Sequence, residues 1–397
     1  MTSTLDRRIG DPWYMTEDRV QLRALAREFT AKEVLPLANE LDPEKGVMPD
    51  SLRHKMSEMG FFGILIPEEL GGLGLGAVEY CLITEELARG WMSVASIIAR
   101  GNGLASSGFS EEQKSRFLPR AASGDFLGAF ALSEGEAGSD VANLRCAARR
   151  DGDEWVINGS KMWCTFADGA DYITLFARTD PIVDPDRRHR GISAFLIEKP
   201  RGTFPDGIRA TPIRKIGYHG WKTWDLFFDD FRLPADALLG EEGRGFYAAL
   251  EHLEIARVHT AARSIGLARA ALEDSVAYVA QRRQFGSAIG DFQAIRFKIA
   301  EMATQIEAAR SLMYQVADDI DNDRPCSTPA SMVKLFASEM AEKVTSTGLQ
   351  IHGGAGYTND FAVERHWRDA RLTKIFEGTS EIQLRIISDA ILGRGPA

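Results

Sequence analysis

Apolar residues recur at Phe292, Ile295, Ile299, Met302, Ile306, Ala309, Met313, Val316 and Ile320, in steps of three and four. That spacing is the seam of a long helix packed in a bundle. On the same reading, Phe246 to Arg282 is a long helix, Pro329 to about Leu349 another beyond the Asp321–Pro325 break, and Thr379 to Leu392 a last one. Four such helices predict a bundle. Earlier in the chain, Thr16 can cap a helix carrying Val20, Leu22, Leu25 and Phe29. Further helices start near Asp50, run from Val78 to Ala88, and open at Ser110.

Near Phe126 the period changes. Arg145 to Arg150, the pair Asp151-Gly152 and then Glu154 to Ile157 read as a hairpin with a DG turn. Asp171 to Arg178, Gly191 to Glu198 and Trp224 to Phe231 follow as short strands with no helix between them, which predicts a small sandwich or barrel. The predicted fold is mainly α with a middle β domain: a helical unit over 1–126, a β unit over 127–239 and a four-helix bundle over 240–397.

A net charge of -10 over 397 residues argues against a nucleic-acid-binding surface. No apolar run is long enough to span a bilayer. Met1 to Trp13 carries Asp6 and Asp11 and no apolar core, which suits a targeting peptide poorly. Cys81, Cys146, Cys164 and Cys326 lie far apart, and His219, His252, His259 and His352 have no ligand spacing, so neither a metal site nor a disulfide framework is expected. A cytoplasmic protein is the simplest expectation.

Chemistry concentrates in a few stretches. Glu377 precedes Gly378 on a predicted turn, with Thr379 and Ser380 as cap candidates. It either opens a helix or presents a carboxylate to a cavity. Ala131 to Asp140 is small, polar and glycine-spaced, and Lys161 to Thr165 sets Trp163 two residues from Thr165, on one face if the segment is a strand. Gln281 to Gly286 lies at a helix end, where its arginines suit either a phosphate or the helix terminus. Gln350-Ile-His-Gly-Gly354 either stops a helix or cradles a pyrophosphate. The loop Ile66 to Gly76 lacks a GKS/T ending and reads as a connector.

Six segments together resemble the acyl-CoA dehydrogenases, in order and separation, over nearly the whole chain. They are Pro67–Gly74, Leu132–Asp140, Lys161–Thr165, Arg282–Gly286, Gln350–Gly354 and Phe376–Gln383. The resemblance implies FAD between the β unit and the bundle, an acyl-CoA thioester substrate, an electron-transfer flavoprotein as acceptor and a homo-oligomer, typically a tetramer. It implies that Leu132, Ser133, Ser139, Trp163 and Thr165 line the flavin. Arg282, Gln284, Phe285, Phe292, Gln293, Gln350, Ile351, Gly353 and Gly354 would hold FAD across a subunit contact, with Thr379, Glu381 and Gln383 completing the site. Ser139, Glu254, Arg257 and Gly378 would contact substrate, and Glu377 matches the catalytic base. Relatives that place the base on the first bundle helix would have it where this chain has Ala256, which cannot act. Burial under a bound thioester is expected to raise the base's pKa toward neutrality.

Arg100, in an otherwise small and apolar stretch, suggests pairing with a carboxylate at the far end of the acyl group; a structural ion pair or an exit to the surface is the alternative. Gly217–Leu226 and Ala256–Gly266 look similar to the branch acting on methylsuccinyl-CoA. The expected substrate is therefore a short dicarboxylyl-CoA, with a plain short or branched acyl-CoA as the alternative. Rival readings are an oxidase or flavin monooxygenase on the same fold, and a non-enzymatic CoA-binding scaffold.

Overall fold

The structure, a computed structural model, describes residues 12–102, 109–180, 187–250 and 253–394. Its N-terminal part holds α1 (Glu17–Phe29), α2 (Leu35–Leu41), α3 (Asp50–Glu58), α4 (Ala77–Gly90), α5 (Met92–Ile97), α6 (Ala99–Asn102) and α7 (Glu111–Ala122). Thr16 and Ser110 cap α1 and α7 as their sequences predict, each accepting a backbone N–H three residues on. A π-helical turn over Thr30–Val34 joins α1 to α2. No sequence signal marks it.

The middle part holds β1 (Gly128–Ala131), β2 (Ala147–Asp151), β3 (Glu154–Thr165), β4 (Tyr172–Arg178), β5 (Ile192–Glu198), β6 (Ile208–Ile213), β7 (Thr223–Pro234) and β8 (Leu238–Leu239). They form one eight-stranded sheet in the order β6-β7-β3-β2-β4-β5-β8, with β1 parallel on β4. The Asp151–Glu154 hairpin forms in the expected register. β3 continues past Gly159 to Thr165, and its register with β7 shifts at Ile157/Gly159 and at Lys161/Cys164. The second shift corrects the expectation of strict alternation. Trp163 sits in the left-handed region at φ 65, so Trp163 and Thr165 do not share a face by simple two-residue spacing.

The C-terminal part holds α8 (Gly245–Leu250), α9 (Leu253–Gln281), a small hairpin of β9 (Arg283–Gln284) and β10 (Ser287–Ala288), α10 (Gln293–Asp321), α11 (Ser327–His352), α12 (Val363–Thr373) and α13 (Ser380–Ile391). His252 lies outside the described residues. The α9, α10 and α11 helices pack on one another. The sequence reading makes Thr379–Leu392 the fourth long helix. The structure gives α13 a contact with α11, whereas the shorter α12, absent from that reading, packs against both α9 and α11.

α9 is buried on every side from Arg257 to Leu272, against the bundle and against α4. A buried ion network fixes that contact. Arg269 on α9 reaches Glu85 at 2.9 Å and Glu86 at 2.5 Å, Arg310 on α10 reaches Glu85 at 2.7 Å, and Arg27 on α1 reaches Glu86 at 3.0 Å. The glycine-rich connector ends where Asp321, closing α10, accepts the N–H groups of Ala77 and Val78 and so caps α4. A Cβ on Gly76 would stand 2.5 Å from that carboxylate, which explains the glycine. Among the described residues, no helix is long and apolar enough to cross a membrane.

Candidate active site

The turn before α13 holds Glu377 at φ 54 and Gly378 at φ 88. A left-handed non-glycine residue costs of order 1–3 kcal/mol and persists only where its surroundings over-determine it. Here they do. Lys334 of α11 donates to the Gly378 carbonyl at 2.5 Å, Gln383 donates to the same oxygen at 3.1 Å, and Thr379 caps α13 by accepting the Ile382 N–H. Burial holds the Lys334 ammonium down at about 8.

Gly378→Ala would place a Cβ 2.5 Å from Gln383 Nε2 at a φ that L residues resist. We expect this variant to fold, bind cofactor and lose about 10–100-fold in kcat, because the carboxylate moves with the turn. Steady-state kinetics alongside the flavin spectrum checks it.

Glu377 points toward α9. Its Oε2 accepts from Arg263 Nη2 at 2.6 Å and from the Thr260 hydroxyl. Thr260 also bonds the carbonyl of Ala256, one turn back, so the alternative base position borders the same space. Arg263 is 1% exposed. Its Nη1 donates to Ser96 Oγ of α5 at 3.0 Å, its guanidinium lies 4.7 Å from the Phe376 ring centre, and its Nε has no partner. The Glu377 side chain keeps 35% of its surface open. Burial opposes its ionisation, but Arg263, His259 and Thr260 outweigh burial and hold its pKa down at about 2. This differs from the near-neutral base expected once a thioester covers it, because in the ligand-free protein Glu377 is the counter-ion of a buried guanidinium. Burial likewise drives His259 down to about 3; it stacks on Tyr80 and bonds the Ala95 carbonyl.

The loop 217–222 joins the three parts of the chain. Tyr218 meets Phe376 edge-on and donates its N–H to Asp369 of α12, Gly220 pairs with Val47, and Trp221 Nε1 donates to the Ser93 carbonyl. Arg100 is half-buried and has no acidic partner and no hydrogen bond among the described residues. Its charge reaches His259 and Tyr80. The structural ion pair is thus not seen. Arg257 is buried and its side chain makes no hydrogen bond among the described residues, and the neighbouring Glu254 accepts from the Cys326 thiol.

The other expected residues fall into separate groups. On the sheet, Lys161 is fully buried and ties the Leu132 carbonyl and Glu134 together, which fixes Leu132 and Ser133 beside β3. Trp163 is 54% exposed, and Thr165 bonds Thr223. Ser139 is exposed. At the far end of α9, Arg282, Gln284 and Gln293 are exposed and Phe285 is 96% exposed at φ 50, with Phe292 6.2 Å away. At the end of α11, Gln350 is exposed and Ile351 buried, and a Cβ on Gly353 or Gly354 would meet open space. None of the α9-end or α11-end groups shows a contact with Glu377. Gln383 is buried against Gly378 with its Oε1 unpartnered, and the exposed Glu381 lies in the first turn of α13. Thr260, Arg263, Ser96, Lys334 and Phe376 are the site residues the sequence reading missed. Arginine in a helix buried all round was the available signal, since such a cation needs an anion.

Among the described residues no group of His, Cys, Asp or Glu stands ready for a metal. The open glycines of 353–354, the exposed Trp163 held in a left-handed conformation and the free Phe285 suit a large flat ligand with a diphosphate, and so fit a flavin dinucleotide.

Three family descriptions match in succession: the acyl-CoA dehydrogenase N-terminal domain over residues 16–125, the middle domain over 129–231 and the C-terminal domain over 243–392. An acyl-CoA dehydrogenase of Bacillus subtilis is 41% identical over 96% of this chain and 99% of its own length. The (2S)-methylsuccinyl-CoA dehydrogenase of Cereibacter sphaeroides is 38% identical over 95% of this chain and 70% of its own. The solved butyryl-CoA dehydrogenase of Megasphaera elsdenii superposes with a TM-score of 0.89 at 35% identity, covering 96% of this chain and all of the other. The chain belongs to the acyl-CoA dehydrogenase family, whose members are FAD-dependent oxidoreductases.

Proposed function

We propose that this chain dehydrogenates a short acyl-CoA between Cα and Cβ, with Glu377 as the base, and that its preferred substrate is a short dicarboxylyl-CoA such as methylsuccinyl-CoA. The observation that carries this is a strained, over-determined turn aiming one carboxylate at the buried Arg263 guanidinium of α9. Glu377 takes the α-proton, and the N–H groups of its turn polarise the thioester oxygen. The Thr260 hydroxyl and Arg263 hold the carboxylate in the ligand-free protein. When bound, the flavin supplies the two-electron oxidation by accepting the β-hydride.

Leu132, Ser133, Ser139, Trp163, Thr165, Thr379, Glu381 and Gln383 would hold its ring end. Arg282, Gln284, Phe285, Phe292, Gln293 and 350–354 would hold a dinucleotide across a subunit contact. The exposure of Arg282, Gln284, Phe285, Gln293, Gln350, Gly353 and Gly354 in the single chain supports that assignment. Exposed Phe297, Met332, Phe336 and Leu384 on the bundle surface support a homo-oligomer, with a tetramer our choice. Buried Arg257, whose side chain makes no hydrogen bond among the described residues, suits an anionic part of CoA. An electron-transfer flavoprotein as acceptor and a cytoplasmic setting complete the reading; the four buried, unpaired cysteines agree with the latter. We divide the chain at 126/127 and 239/240.

Anaerobic titration with methylsuccinyl-CoA and butyryl-CoA tests the substrate class. We expect the diacid thioester to bleach the flavin band at lower concentration. Bleaching by butyryl-CoA alone would remove the diacid reading. Rapid oxygen uptake without another acceptor would make the chain an oxidase.

A further inference from the structure

We propose that Arg263, rather than Arg100, receives the distal carboxylate of the substrate, and that Glu377 occupies this position in the ligand-free protein until the substrate displaces it. The inference rests on the dicarboxylyl-CoA reading above. A guanidinium that is 1% exposed is costly without an anion, and the sole acid bonded to Arg263 among the described residues is the base itself. The fit is incomplete. Glu377 engages one nitrogen through one oxygen, and the Arg263 Nε stays unpartnered. An arginine fork is satisfied by a carboxylate taking two N–H groups together. Ser96 and the Phe376 ring hold the guanidinium in place whether or not Glu377 leaves it.

Position selects the substrate length. The proton leaves Cα toward Glu377, and Arg263 Nη2 lies 2.6 Å from that carboxylate. A second carboxylate on Cβ, as in a four-carbon diacid thioester, is two bonds from Cα and reaches the neighbouring cation. A longer diacid overshoots it. Substrate binding then acts on the base twice. It removes Glu377 from its counter-ion, and it sets a second negative charge beside it; both make the carboxylate a better proton acceptor. A monoacid thioester does neither, so Glu377 stays clamped. Activation of the base thus becomes part of substrate recognition.

The test uses the flavin-loaded holoenzyme, with flavin absorbance and melting temperature confirming that each variant folds. Fumaryl-CoA and crotonyl-CoA are unreactive toward the oxidised enzyme and differ only in a carboxylate for a methyl group. Calorimetry should give the wild type at least a tenfold preference for fumaryl-CoA, and Arg263→Gln should erase it. In kinetics the same variant should lose at least 100-fold in kcat/KM for methylsuccinyl-CoA yet gain several-fold in kcat for butyryl-CoA. A merely structural arginine would lower both. Arg263→Lys, which keeps charge without the fork, should recover part of the diacid preference. If Arg263→Gln keeps the preference and Arg100→Ala erases it, the assignment to Arg263 is overturned while the diacid reading stands. If the wild type has no preference, the diacid reading falls and this inference with it.

Discussion

Glu377→Gln is expected to lower kcat by about 10⁴-fold while leaving FAD content and acyl-CoA affinity within a few-fold of wild type. Glutamine keeps the shape and can still sit beside Thr260 and Arg263, so the loss reads proton transfer and not collapse of the turn. The pH profiles should separate two states of the base. In the free protein Glu377 is held at about 2, so the acid limb of kcat/KM from this group should lie below pH 5. With substrate covering the carboxylate and competing for Arg263, the limb in kcat should move upward. The groups that set this balance are Arg263, His259 and Thr260 around Glu377, with Lys334 behind the turn. Equal limbs near pH 6 in both profiles would mean that the Arg263 pair does not form in solution.

Arg269→Met should give the largest loss of stability away from the site, about 3–5 kcal/mol, because it strips the shared cation from Glu85 and Glu86 inside the α4–α9 contact. Differential scanning calorimetry should show the midpoint falling by roughly 5–10 °C. The network also fixes a pH sense. Burial opposes ionisation of Glu86, yet Arg269 and Arg27 hold its folded pKa at about 2, below the ordinary 4.5. Its contribution is therefore present above pH 4.5 and is lost as pH falls toward 2. The wild type should lose stability steeply across that window and Arg269→Met less so. A shift under 1 °C at pH 7 would show that the ion cluster is not a structural keystone.

The chain declares much of this architecture. The three-and-four seam of α10, the caps at Thr16, Ser110 and Thr379 and the Asp151-Gly152 turn are local signals, and each appears where its own residues ask for it. The turn at Glu377 was also legible, through a glycine neighbour and a cap two residues on. What the sequence hid is decided by distant partners. β6 reads IRATPI, too polar and proline-marked to stand out, and exists because β7 pairs along its length. α12 carries five charged side chains over VERHWRDARLT, and its buried Arg365, His366 and Asp369 are matched by the Ala38 carbonyl, Asp274 and Tyr218 N–H. The bulge at Trp163 breaks an alternation that strand spacing predicts. Arg263 sat inside a stretch noted for its overall similarity, and only the position of Glu377, 114 residues later, shows what it answers.

The turn that holds Glu377 lies near the C-terminal end, whereas its counter-ion sits mid-chain and Ser96 comes from the N-terminal helices. During synthesis, Arg263 is therefore made long before its acid emerges from the ribosome. A chain stalled before this turn would carry in α9 a buried cation whose acid has not yet been made. The α4–α9 contact can already form at that stage through Arg269, Glu85 and Glu86, so neutralising Arg263 is a late step laid over a helix pair already in place.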